Sequence, residues 1–276
     1  MLLMQMSNSI LINGSFNSAI SALDRGLSYG DGVFRTVKVV QGLPEHWPAH
    51  YQKLVKDCSA IGIVCPNADV LINDVEQLFS IDELASVAKI IITRGEGARG
   101  YNPPAITNPM RVVIKSSLPN YPQQHFDEGV SLHLCETRVG HQPKLAGVKH
   151  LNRLENVLAR MEWHDPQIAD GLMLDIANNV IECTAANIFA RYGNVLMTPQ
   201  LDQCGVSGVT RKQIMARAHT LLLKTVVETM DLKQLLSADE VIICNSLYGV
   251  WQVRQLEHQK WLKQDLAINL RKTLSS

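Results

Sequence analysis

Apolar positions along this chain fall into short alternating or continuous runs, separated by a few stretches with a three-to-four-residue repeat. The first pattern predicts strands and the second helices. Ile10–Ile12 followed by Asn13 and Gly14 predicts a strand and a tight turn. A glycine-rich loop, 24–32, leads into a strand over 34–40 that ends at Gly42. Helical spacing covers 46–61, with Tyr51, Leu54, Val55 and Cys58 on one face, and a second helix is expected at 70–79. The β-branched runs 87–93 and 111–116 predict strands on either side of a Gly/Pro loop.

The segment 118–127 holds two prolines and few apolar residues, so it is the expected linker between a smaller domain, 1–117, and a larger one, 128–276. Beyond it, 130–139 alternates like a strand. Leu151, Leu154, Val157, Leu158 and Met161 then follow helical spacing, which sets Lys149 just before a helix. Two hairpins are expected, 171–183 turning at Asn178-Asn179 and 187–197 turning at Gly193-Asn194. A helix over 209–223, with Ile214, Ala218 and Leu221 inward, precedes strands at 225–228, 241–244 and 250–253 and a terminal helix at 265–274. The fold class is mixed α and β with a hairpin-rich second half.

Composition narrows the partners. Lys plus Arg number 26 and Asp plus Glu number 26, so the net charge is zero and no basic stripe appears. A nucleic-acid partner is not expected, and a small molecule is. The six cysteines form no C-x-x-C pair and suggest no metal site; they read as thiols of a reducing compartment. Residues 1–14 have no basic leader pattern. No run reaches the ~18 apolar residues of a membrane span. The expectation is a soluble, cytoplasmic protein.

Several residues could carry chemistry. Lys149 is flanked by Leu145, Ala146, Val148 and Leu151, and desolvation of that kind makes a lysine amine nucleophilic. A surface lysine is the plain alternative. Glu182 lies in an apolar strand, where a carboxylate must be paired or sit at an edge. Gly205-Val206-Ser207-Gly208-Val209-Thr210-Arg211 leads into a helix, whose first amides suit an anion such as phosphate. Cys244-Asn245-Ser246 closes a strand and could add donors. Arg94 and Arg99 lie in a glycine-rich loop and read equally well as carboxylate ligands or as solvated side chains.

Taken in order, these segments resemble the fold-type IV pyridoxal-phosphate enzymes, over about residues 10–250. That superfamily holds branched-chain aminotransferases, D-amino-acid aminotransferases and 4-amino-4-deoxychorismate lyases. The likeness is nearest to the bacterial lyases. It is carried by Asp24-Arg25-Gly26, Gly30-Asp31-Gly32-Val33-Phe34, Arg94-Gly95 with Arg99-Gly100-Tyr101, and Ala146-Gly147-Val148-Lys149-His150-Leu151-Asn152-Arg153. Glu182-Cys183-Thr184-Ala185-Ala186-Asn187-Ile188-Phe189 and Leu201-Asp202-Gln203-Cys204-Gly205-Val206-Ser207-Gly208 complete it.

The resemblance implies two α/β domains, pyridoxal 5'-phosphate in the cleft between them, and a homodimer. It puts Lys149 on the cofactor aldehyde and Glu182 on the pyridine nitrogen. It puts the phosphate on Val209, Thr210, Asn245 and Ser246. Family members usually have arginine in a His-x-x-Arg-Leu segment that contacts the phosphate; here it reads His50-Tyr51-Gln52-Lys53-Leu54, so Lys53 takes that place. Thr36 is implied near the cofactor for proton delivery, and Arg99 and Tyr101 at a substrate carboxylate. The implied reaction converts 4-amino-4-deoxychorismate to 4-aminobenzoate and pyruvate, a step of folate synthesis. An aminotransferase of D-amino or branched-chain acids is the alternative. A non-catalytic binding protein fits poorly, because Lys149 and Glu182 are both present.

Overall fold

Antiparallel pairing of the early apolar runs builds the first of two compact units. A computed structural model describes residues 9–81 and 85–275; residues 1–8, which fall in the stretch read above for a leader pattern, lie outside them. The first unit takes the described residues up to Pro119 together with Val148–Asn152. Its elements are β1 (Ile10–Ile12), α1 (Arg25–Tyr29), β2 (Gly32–Val40), β3 (Leu43–Pro44), α2 (Trp47–Ala60), α3 (Ala68–Leu78), β4 (Ser86–Thr93) and β5 (Met110–Ser117). The sheet order is β1-β5-β4-β2-β3, antiparallel throughout.

Period-two alternation turns Val33, Val37 and Val39 of β2 inward. Val33 and Val39 pack with Ile90, Ile92 and Val113, and with Leu54 and Cys58 of α2 and Leu71 and Val75 of α3. Each such side chain contributes about 1.5–3 kcal/mol by leaving water.

Two local differences from the sequence pattern have physical causes. The loop expected at 24–32 contains α1, because the Asp24 carboxylate accepts from the Gly26 and Leu27 amides and Gly30 closes the turn at a φ of 64°. The inward face of α2 is His50, Leu54, Asp57 and Cys58, while Val55 is exposed. Polar residues hold half of that face, so apolar spacing alone misplaces it.

The second unit takes Asn120–Gly147 and the chain from Arg153 onward. Its elements are α4 (Gln123–Asp127), β6 (Val130–Leu134), α5 (Leu154–Arg160), β7 (Ile168–Leu174), β8 (Val180–Cys183), β9 (Asn187–Tyr192), β10 (Val195–Pro199), α6 (Val209–Arg217), β11 (Lys224–Glu228), α7 (Leu232–Leu236), β12 (Glu240–Asn245), β13 (Gly249–Leu256), β14 (Gln259–Lys260) and α8 (Leu266–Ser275). The sheet runs β11-β10-β9-β12-β13-β6-β7-β8, with β14 on β13. Both faces are covered. Ile188, Val241 and Ile243 pack into one core with Trp251, while Phe189 and Ile242 pack into another with Ile214 of α6 and Leu270 of α8. Burial on both faces explains why these strands read as continuous apolar runs.

Other expectations shift here. Residues drawn as a linker belong partly to this unit: α4 lies within 118–127, and Tyr121 and Phe126 set their rings edge-on to Trp251. The strand drawn over 130–139 stops at Leu134. The helix from Val209 ends at Arg217 and continues as a 3-10 turn, Ala218–Leu221. The helix after Lys149 is α5, whose apolar residues Leu154, Val157, Leu158 and the following Met161 are exposed rather than buried. No helix among the described residues is long and apolar enough to cross a membrane.

Candidate active site

Lys149 lies in a strand-like segment that pairs with the start of β2. The Phe34 amide donates to the Lys149 carbonyl at 3.0 Å, and the Leu151 amide donates to the Gly32 carbonyl at 3.0 Å. Gly32 permits this approach, since a Cβ there would stand 2.8 Å from Leu151 Cδ1. The Lys149 ammonium lies 4.6 Å from the centre of the Phe34 ring. Thr36 follows Phe34 by two residues and so shares its face of β2.

On the opposite face of β2 is a charged cluster that the sequence reading missed. Asp57, 1% exposed, forms ion pairs with Arg35 of β2 and with Lys53, one turn earlier on α2. The Lys149 main-chain N–H donates to Asp57 Oδ2 at 3.3 Å. His50, nearby on α2, is drawn down to about 3 by burial and by the Arg35 charge.

The loop arginines separate. Arg94 is buried: it donates to Asp31 from Nε and Nη2 and to the Gly62 and Ile61 carbonyls, so it neither binds a ligand carboxylate nor lies in solvent. Arg25 shares Asp31 and also donates to the Gly100 and Tyr101 carbonyls. The Asp31 carboxyl is pushed up by burial, but the two guanidiniums outweigh this and hold it below its usual range. Arg99 is exposed, and Tyr101 is 85% exposed with its ring 5.4 Å from Tyr29.

In the second unit, Glu182 of β8 is 4% exposed. Its Oε2 accepts the Val206 amide at 2.8 Å. Gly205 makes that possible: its φ is +78°, and a Cβ would meet Ile181 Cγ2 at 2.7 Å. Asn187 fixes the same loop twice, donating to the Val206 carbonyl and accepting from the Gly208 amide. Gly147 pairs with Gly205 and Ser207 from the other side. Burial lowers the Arg153 guanidinium, while the charge of Glu182 pulls it back up.

The loop delivers α6, whose N-cap Gly208 supplies no side chain to its first amides. Amides of a first turn have no partner within the helix, so those of Val209 and Thr210 can serve an anion. Thr210 Oγ1 lies 3.4 Å from Ser246 Oγ. Asn245 shapes the turn beside it, accepting from the Leu247 and Tyr248 amides and donating to the Ala185 carbonyl. Arg211 is committed to Thr198 and the Pro199 carbonyl.

A metal site is not expected from the cysteine spacing, yet His141, Asp175 and Cys204 bring one ligand-type atom each within 4.8 Å of one another. The carboxylate already accepts from the Ala177 and Asn179 amides, from Asn179 Nδ2 and from His141. Burial pushes the Cys204 thiol up to about 12.

The first unit offers a lysine amine on a strand-paired segment. The second, taken by itself, offers a buried carboxylate, an uncapped helix start suited to an anion, and two neighbouring hydroxyls. The chain belongs to the amino-transferase class IV family, whose profile matches residues 32–256. It is 38% identical to an aminodeoxychorismate lyase of Vibrio harveyi, over 87% of this chain and 88% of that protein. The solved 4-amino-4-deoxychorismate lyase of Pseudomonas aeruginosa superposes with a TM-score of 0.91 at 39% identity, over 96% of this chain and 97% of that one. A D-alanine aminotransferase of Staphylococcus aureus is 26% identical over 90% of this chain and 89% of that protein.

Proposed function

We propose that this chain acts as a pyridoxal-phosphate-dependent aminodeoxychorismate lyase, releasing 4-aminobenzoate and pyruvate from 4-amino-4-deoxychorismate. The carrying observation is the pair of likenesses at 38% and 39% identity over nearly the whole chain, against 26% for the D-alanine aminotransferase.

The residues present fit the cofactor. Lys149 would hold its aldehyde and Glu182 its ring nitrogen. The amides of Val209 and Thr210, the hydroxyls of Thr210 and Ser246, and the turn at Asn245 would hold its phosphate, with Lys53 adding charge. When bound, the cofactor supplies an electron sink for the carbon that carries the substrate nitrogen. A carboxylate at the ring nitrogen keeps that nitrogen protonated.

The two products together contain every atom of the substrate, so the chemistry is a proton relocation with bond cleavage. The Lys149 amine, once the substrate amine has displaced it, takes the proton from the ring carbon that bears nitrogen. One proton must reach the methylene of the departing enolpyruvyl group to make the methyl of pyruvate. Thr36, on the face that carries Phe34, is the candidate to assist. Arg99 and Tyr101, both exposed, are candidates for a substrate carboxylate.

We further propose that the protein works in the cytoplasm as a homodimer. The exposed apolar face of α5, formed by Leu154, Val157 and Leu158 and continued by Met161 just beyond it, supports an interface between copies. Free thiols at all six cysteines support a reducing compartment.

Assaying purified protein with 4-amino-4-deoxychorismate tests the reaction. Equal amounts of pyruvate and 4-aminobenzoate are expected. Amino transfer to 2-oxoglutarate without pyruvate release would make it an aminotransferase instead.

A further inference from the structure

The Lys149 amine is carried on a stretch of main chain that hydrogen bonds hold in place. Two of the bonds that fix this main chain are strand pairing with β2, which almost any residue could make. Another runs to a side chain 92 positions away: the Lys149 N–H donates to Asp57 Oδ2.

A carboxylate as deeply buried as Asp57 stays charged only when cations compensate it. Arg35 and Lys53 do so, from β2 and from α2. Lys53 engages Oδ1, while Arg35 and the Lys149 amide share Oδ2. With both oxygens engaged, the carboxylate cannot swing away, so the acceptor facing Lys149 is set before any ligand arrives.

We propose that Asp57 is the positioning residue for Lys149, holding its main chain so that the amine meets the cofactor aldehyde; this rests on the reading of Lys149 as the cofactor's lysine. Lys53 accordingly has two duties, one toward the cofactor phosphate and one as a brace for Asp57. The brace calls for a cation, not an arginine fork, and lysine suffices for it.

The test compares two isosteric side chains in one background. Arg35→Met/Asp57→Asn and Arg35→Met/Asp57→Leu both remove the buried Arg35–Asp57 charge pair together, and only the asparagine keeps an acceptor for the Lys149 amide. Apo protein is titrated with pyridoxal phosphate and, separately, with pyridoxamine phosphate, which has the same ring and phosphate but no aldehyde. The ratio of the two affinities reports presentation of the amine and is insensitive to general loosening of the site. The asparagine variant should keep the wild-type ratio within about threefold, and the leucine variant should lower it about tenfold. Equal ratios in the two variants overturn the proposal.

A second measurement needs no substitution: the Lys149 amide of wild-type apo protein should exchange with deuterium at least tenfold slower than an open amide, and exchange at the open rate also overturns the proposal. Borohydride trapping of the cofactor on another lysine overturns the functional reading itself, and this inference with it.

Discussion

At the scale of single residues, the proposed chemistry turns on two charged side chains. Lys149 and Glu182 stand out because each is a charge in an apolar setting. Lys149→Ala should lose all turnover and all borohydride-trapped cofactor, checked by peptide mapping; trapping elsewhere in that variant would refute the assignment. Glu182→Gln should still bind cofactor, because its amide oxygen can accept from Val206, yet turn over about 100-fold slower, since one well-placed charge contributes a few kcal/mol. Single-turnover rates decide this, and a near-normal rate would mean that the carboxylate serves only the Val206 loop. Asp57 and the burial of His50 were not legible, because an inward-facing polar residue on an amphipathic helix looks like a solvent-facing one until the partner strand is known. His50 carries its own prediction. Its imidazole falls from 6.5 to about 3, and its Nδ1 is buried without a partner. Between those values the unfolded chain binds a proton that the native chain refuses, so stability is complete above pH 6.5 and drains away as pH falls toward 3. Urea unfolding of wild type and His50→Gln should diverge on acidification, with wild type losing about 3 kcal/mol more by pH 4. Parallel losses would show that His50 takes up its proton in the folded state.

Elements were legible where one force dominates. The hairpins at 171–183 and 187–197 appear as β7–β8 and β9–β10, because alternation and a turn signal coincide there. The short helices α1, α4 and α7 were missed: a five-residue helix shows too little periodicity and depends on capping, as when the Asp231 side chain accepts from the Gln234 amide before α7. The loop between β10 and α6 belongs to no regular element, yet it carries the Val206 amide to Glu182. Gly205→Ala tests its geometry. A side chain at a φ of +78° costs about 1–2 kcal/mol, and crowding against Ile181 adds to it. Thermal melts should drop by several degrees, and cofactor affinity should fall with them. A fall in melting temperature with cofactor affinity intact would separate the loop from the site.

For the whole molecule, the mixed α and β class was readable, because strand runs outnumber helical stretches and both occur in each half. Membership of the compact units was not, since no local pattern reveals that 148–152 leave one unit to join the other. The exposed face of α5 has the spacing of a buried helix without a cover, and a second copy of the chain is the proposed cover. Val157→Glu should therefore shift sedimentation from dimer toward monomer, at least tenfold in dissociation constant, since it sets a charge in an apolar contact. Unchanged sedimentation would place the interface elsewhere. The crossing at 148–152 also bears on how the chain is made. Synthesis runs from the N-terminus, and domains begin to fold as they emerge from the ribosome. The first unit has β1 to β5 once residue 119 has emerged, but β2 then waits for a pairing segment that arrives some 30 residues later, after the second unit has begun. A gene cut after Pro119 would yield a first unit with an unfilled strand position and no Lys149, so the two units cannot be inherited as separate modules.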